Sequence, residues 1–140
     1  MADEKEASGR TEPDHQHAYD VLIGPFYSAA AVRHLLGDVS GEALRSRVRR
    51  GSTLEVRTSD GLRLYPQFQF CDRRIDPAIG EVLSAFRDTP VDGWAIATWF
   101  SLPHDELDNQ SPREWLSQPS ADLLVVLHLA RQTAHRWTAP

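Results

Sequence analysis

Between Ser28 and Gly51 the chain is punctuated twice in the same way. Ser28 precedes Ala29–Leu36 and Gly37 follows it, and Ser40 precedes Gly41–Arg50 and Gly51 follows it. A serine hydroxyl accepts from the orphan N–H groups of a helix start, and glycine takes the left-handed conformation that ends a helix. The spacing therefore predicts two short helices joined through Asp38-Val39. Val32, Leu35 and Leu36 share one face of the first, and Leu44 and Val48 fall together on the second and turn inward. Two such helices, the second opening on serine, make a helix-turn-helix. A hairpin signal follows: Leu54–Ser59, then Asp60-Gly61, then Leu62–Pro66. Asp-Gly between alternating runs predicts a two-residue type I′ turn, with Leu54, Val56 and Thr58 facing one way and Glu55, Arg57 and Ser59 the other.

The remainder reads as helices. Asp76 as N-cap and Pro77 at the first helical position lead into Ile79, Val82, Leu83 and Phe86, one buried face. After the break at Thr89–Gly93, Trp94–Phe100 is apolar on every side; it fits a buried helix or a buried strand, and we read a helix. The loop from Leu102 to Gln110 ends at Ser111-Pro112-Arg113-Glu114, a capping box that predicts a helix through Leu116. A last helix is predicted from Ala121 to Trp137. Its apolar stripe, Leu123, Leu127, Ala130, Ala134 and Trp137, is widened by Val125, Val126 and Leu129 to half the circumference. That is the surface of a helix central in a bundle or of one that meets another chain. Structure is expected to begin near Phe26-Tyr27. The expected fold class is mainly α: a winged helix-turn-helix followed by a small helical bundle.

Charge follows the same division. Residues 1–20 sum to −4, residues 21–75 to +4 and residues 76–140 to −5, so the middle of the chain is basic between two acidic segments. We read these as a disordered acidic arm, a winged helix-turn-helix module and a helical partner-binding module. Hydrophobic residues are 41% of the chain and charged residues 25%, a globular composition. No apolar run reaches the roughly 18 residues of a membrane span, and the acidic start carries no secretory signal, so a cytoplasmic location is expected. The single Cys71 excludes an intrachain disulfide.

The second helix carries the most informative surface. Opposite Leu44 and Val48 lie Glu42, Arg45, Ser46 and Arg49, with Arg47 and Arg50 flanking and Ser40 at the start. Arginine forks bind phosphate or read N7 and O6 of guanine, which gives this face a mechanism for DNA contact. Arg57 and Arg63 on the hairpin are placed as a DNA-contacting wing would place them. A solvated helix face and a purely structural hairpin are the plainer alternatives.

Tyr27 to Phe70 resembles the winged helix-turn-helix of excisionase and MerR-type DNA-binding domains. Leu35-Leu36-Gly37, Val39-Ser40, Arg49-Arg50-Gly51 and the Leu54–Pro66 hairpin carry the likeness, which implies DNA contact by the second helix and the wing. Gly41 departs from the pattern, where a better helix former is expected. From Ile79 to Trp137 the chain resembles the toxin-binding domain of Xre/MbcA/ParS-type antitoxins. Here the likeness rests on Val82-Leu83, Gly93-Trp94, Trp99-Phe100, the loop Pro103 to Leu107, Ser111–Leu116 and Ala130-Arg131 through His135-Arg136-Trp137. It implies a RES-domain, NAD-degrading toxin as partner, neutralised by occlusion of its NAD pocket, with autorepression at operator DNA. The toxin-contacting residues it implies are Trp99, Leu102, Leu107, Trp115, Val125, Leu129, Arg131, Arg136 and Trp137. The family loop carries Asn and two Gly residues where this chain has His104–Gln110. A symmetric operator would require at least a homodimer.

No catalytic arrangement is present in the sequence: there is no Gly-rich phosphate loop, His-Glu-x-x-His or Gly-x-Ser-x-Gly. We expect no enzyme, no cofactor and no metal. His15 and His17 read as surface residues, and His128 and His135, two turns apart, miss the i, i+4 metal spacing. Asp105, Glu106 and Asp108 read as an exposed acidic loop, and Trp94, Trp99 and Trp115 as core. The alternative to an antitoxin is a stand-alone DNA-binding regulator or a protein-interaction adaptor.

Overall fold

The computed structural model describes residues 20–140, so the acidic arm up to residue 19 and the His15/His17 pair lie outside the described residues. The architecture is mainly α with a small antiparallel sheet. Strand β1 (Phe26–Ser28) runs directly into helix α1 (Ala29–Leu35), and helix α2 (Gly41–Arg49) follows. Ser28 and Ser40 cap as predicted, their hydroxyls accepting from Ala31 N and Ala43 N. The link between the helices turns on Gly37 (φ 96°) and Asp38 (φ 61°), and Gly51 (φ 76°) lies just past α2.

Strands β2 (Val56–Arg57) and β3 (Arg63–Pro66) form the predicted hairpin, but the turn differs. Thr58 N donates to Leu62 O and Gly61 N to Thr58 O, and of Asp60 and Gly61 only Gly61 takes a positive φ (89°). The loop thus has three residues, Ser59 to Gly61, with glycine at the left-handed position. The Thr58 hydroxyl favours it by bonding the Asp60 carboxylate and accepting from Leu62 N, a local competitor to a two-residue turn. The sequence gives no sign of β1, which pairs antiparallel with β3 (Tyr27↔Tyr65) so that β3 becomes central in the order β1-β3-β2. A second hairpin, β4 (Phe70–Cys71) and β5 (Arg74–Ile75), follows a 3-10 turn at Gln67–Gln69.

The helices of the C-terminal half are α3 (Pro77–Ser84), α4 (Gly93–Ser101), α5 (Pro112–Leu116) and α6 (Leu123–Thr138). Trp94–Phe100 is helical, and the Ser111/Glu114 capping box is complete.

The three-stranded sheet separates two apolar clusters. Phe26, Leu64 and Val56 join Ile23, Leu54 and the inward faces of α3 to α6 in a large core. On the other side Tyr27 and Tyr65 join Val32, Leu44 and Val48 in a small one. The large core therefore runs continuously across residues 75 and 76. Ile23 is fully buried in it, so the folded framework starts earlier than Phe26-Tyr27; the run Val21-Leu22-Ile23 is too short to show a period. Arg113 holds this segment in place, donating to Ile23 O (2.8 Å) while its guanidinium lies over the Phe68 ring. Gln69, fully buried, ties the start of β2 to the end of β3. Its carbonyl accepts from Leu54 N, and its amide donates to Leu54 O and Pro66 O.

Candidate nucleic-acid interface

Helix α2 lies over the small core on Leu44, which is 2% exposed, and so presents Glu42, Arg45 and Arg49 outward. The stripe is partly neutralised within itself. Glu42 accepts from Arg45 (3.3 Å) and from Arg49 (3.4 Å), and these bonds hold its carboxyl below the usual glutamate range. Arg50 donates to the Ser46 hydroxyl, and half-buried Arg47 has its carbonyl engaged by Ser52. Ser40 is occupied as the cap. Arg45 and Arg49 remain half exposed or more, 50% and 62% by side chain, and Arg50 is exposed. An exposed one-to-two ion pair of this kind is weak and exchanges readily for a phosphate.

The hairpin contributes from the same side. In the β2–β3 register Arg57 stands directly opposite Arg63 and shares its sheet face with Glu55 and Tyr65. Tyr65 belongs to the small core under α1 and α2, so the two arginines lie on the helix side of the sheet. Glu55 accepts from the Tyr65 hydroxyl (2.7 Å) and faces Arg63 at 4.0 Å. Burial pushes the Tyr65 phenol far above the usual tyrosine range, and the bond to Glu55 pushes the same way. Arg63 and Arg45 both pull against this shift, which puts the hairpin and α2 in one electrostatic locality. Arg57 is exposed and its carbonyl accepts from Trp94 Nε1 (2.6 Å), fixing the hairpin to α4. The sequence reading missed Tyr65 and Glu55 because a buried tyrosine–glutamate pair spans two strands and no local pattern marks it.

The partner-contact residues implied for the C-terminal half separate into two groups. Leu107 (0% exposed), Trp99 (6%) and Leu129 (7%) lie in the large core and cannot meet a partner in this conformation. Trp99 is enclosed by Phe86, Phe100 and the His104 ring. Apolar character marked them, and burial within the chain accounts for it. Leu102, Arg131 and Arg136 are exposed; Trp115, Val125 and Trp137 are half-buried. Trp115 donates to Asp122 O, Arg136 to the Thr133 hydroxyl, and Trp137 lies against Phe86. Leu124 (70% exposed), Val125, His128 and Gln132 line a shallow groove with Glu106. Among the described residues no group of three His, Cys, Asp or Glu could hold a metal, and no helix is long and apolar enough to cross a membrane.

No family model matches the chain, and no curated protein matches it. Among solved structures it is similar to the NMR structure of Rv2175c, at 22% identity and a TM-score of 0.55, over 81% of this chain and 79% of that one. At that identity the likeness concerns the fold.

Proposed function

We propose that the chain is a DNA-binding protein of the winged helix-turn-helix type, with α2 as recognition helix and the β2–β3 hairpin as wing. One observation carries this reading: the outward arginines of α2 and the cross-strand pair Arg57 and Arg63 lie on the same side of one small sheet. Such a surface offers guanidinium forks to a groove and to the phosphates beside it. The test is fluorescence anisotropy of the full chain on duplexes selected from a random pool, at salt between about 50 and 200 mM. Log affinity should fall linearly with log salt. Arg45→Ala with Arg49→Ala should abolish sequence-selective binding while the far-ultraviolet circular dichroism is unchanged. Salt-independent affinity, or a double variant that binds as the parent does, rejects the assignment.

A finer reading adds a protein partner: an antitoxin whose C-terminal half occludes a RES-domain, NAD-degrading toxin while the N-terminal half represses the operon as a dimer. It is supported by the resemblance of Ile79 to Trp137 and by the exposed apolar groove on α6. Affinity purification of the tagged chain should recover a RES-type protein in stoichiometric amount, with NAD consumption arrested in the complex. Recovery of DNA without such a protein favours a stand-alone regulator.

A further inference from the structure

The second hairpin, β4–β5, is absorbed by neither core's role nor the interface already described. Its base is fixed: buried Gln69 precedes it, and Phe70 packs edge-on to Tyr27 (5.6 Å between ring centres) in the small core that supports α1 and α2. At the other strand Ile75 lies against Gly80 of α3. Phe70 pairs with Ile75 and Cys71 with Arg74, so Arg74 and Cys71 occupy the opposite, outer face. The tip is Asp72-Arg73, and Cys71, Asp72, Arg73 and Arg74 are all exposed.

Two features of that tip call for a reason. Asp72 (φ 54°) and Arg73 (φ 63°) both stand in the left-handed region, the conformation of a type I′ turn. Asp suits the first position, but the second favours glycine, and an arginine there bears the steric cost of its Cβ. Second, neither Arg73 nor Arg74 has an acidic partner at ion-pair distance among the described residues, a state they share with Arg57 of the first hairpin but not with Arg45, Arg49 and Arg63, which face Glu42 and Glu55. A strained arginine beside a second unpaired one, on a short hairpin whose Phe70 packs into the small core under α1 and α2, is arranged for an anion outside the chain.

We propose that the β4–β5 hairpin is a second DNA-contacting arm, with Arg73 and Arg74 gripping backbone phosphates of the duplex read by α2. This rests on the DNA-binding reading above. The contact is to phosphate rather than to bases, because two guanidinium groups on a two-residue-wide tip reach a strand's backbone without filling a groove. The Asp72 carboxylate, at the same tip, opposes it.

The experiment measures anisotropy of the full chain on the duplex that the wild type selects, over a salt series, beside thermal melting. Arg73→Gly with Arg74→Gln should weaken binding roughly tenfold and lower the salt slope by about 1 for each arginine, with sequence preference unchanged. Arg73→Lys with Arg74→Lys should retain the slope. Asp72→Asn, which keeps the turn, should tighten binding. Arg73→Gly alone should hold or raise the melting temperature while weakening binding, opposite signs that a structural role for Arg73 would not produce. Unchanged affinity and slope in the double variant, on a duplex the wild type binds, overturns the arm and leaves the α2 interface standing; so does an altered base preference. A wild type without salt-dependent affinity for any duplex overturns both.

Discussion

The two sides of the three-stranded sheet are furnished very unequally. On one side α3 to α6, with Ile23, Leu54 and Val56, form a core of sixteen buried residues; on the other only Val32, Leu44 and Tyr65 are buried beneath α1 and α2. The β2–β3 hairpin touches both, the first through Val56, Leu64 and the Trp94 bond and the second through Tyr65, while α2 rests on the second through Leu44. Of the two halves of the proposed DNA surface, only the hairpin is also held by the large core. Opening of the α1–α2 unit should cost less than global unfolding, so α2 should move more readily than the hairpin.

The largest effect should come where the large core grips the sheet. A Cβ added at Gly93 would collide with the Glu55 carbonyl oxygen, a backbone atom, so one of the two elements must shift. Gly93→Ala should destabilise by about 4 kcal/mol or more, the exceptional end of single substitutions, and chemical denaturation should show it as a loss of the whole transition. A variant that melts with the parent would mean that α4 and β2 are free to part.

Truncation on either side sharpens the contrast. Leu107→Ala, at a fully buried site, should cost about 3–4 kcal/mol and lower global stability. Leu44→Ala should cost about 2–3 kcal/mol, because a three-residue cluster collapses more easily around the gap. The α1 and α2 amides should exchange faster by that amount, while amides of α3 to α6 that exchange through openings leaving α1 and α2 folded should be unchanged. Equal exchange rates throughout would show the two cores to be one cooperative unit.

How legible this was in the sequence depended on the range of the interaction. Caps are local, and Ser28, Ser40, Asp76 and Ser111 all cap as predicted. The hairpins show where local signals fail. Asp60-Gly61 carries the favoured type I′ dipeptide yet forms a three-residue loop, because Thr58 competes for its polar groups. Asp72-Arg73 carries no glycine yet adopts left-handed φ at both residues, held there by the Phe70 and Ile75 anchors on either strand. Strand β1 pairs with residues some forty positions away, and Tyr65 meets Glu55 across two strands, ten positions away; nothing nearby announces either. Trp99 reads as core in the sequence and is buried, whereas Leu107 and Leu129 were legible as apolar but not as buried or exposed, since composition does not say which neighbour covers a side chain.

Between the two cores stands Tyr65, 1% exposed, its hydroxyl donating to Glu55. Its phenol is raised above the ordinary value near 10, so the neutral form is the one the fold requires. Its contribution is complete below pH about 10 and is lost as pH rises toward the folded value, because the unfolded tyrosine then ionises first. Denaturant midpoints should fall above pH about 10 in the parent. In Tyr65→Phe that alkaline loss should shrink, from a lower midpoint at neutral pH because Glu55 has lost its donor.

The smallest effect concerns Gly41, the residue that departs from the excisionase and MerR-type pattern at the first turn of α2. Its φ is outside the left-handed region, and a Cβ there would meet only Arg45 Nη1, at 3.8 Å. Among the described residues nothing requires glycine there, so Gly41→Ala should stabilise by about 0.5 kcal/mol, mainly by restricting the unfolded chain. If α2 opens locally on its small core, the gain should appear as slower hydrogen exchange in α2. The slowest amides of α3 to α6 exchange through global unfolding, in which α2 also unfolds, so they should slow by the same factor. The local opening is read instead from a smaller opening free energy for the α2 amides than for those slowest amides in the parent and in the variant; equal opening free energies would mean that α2 has no opening of its own, and the inequality between the two cores would then have no dynamic consequence.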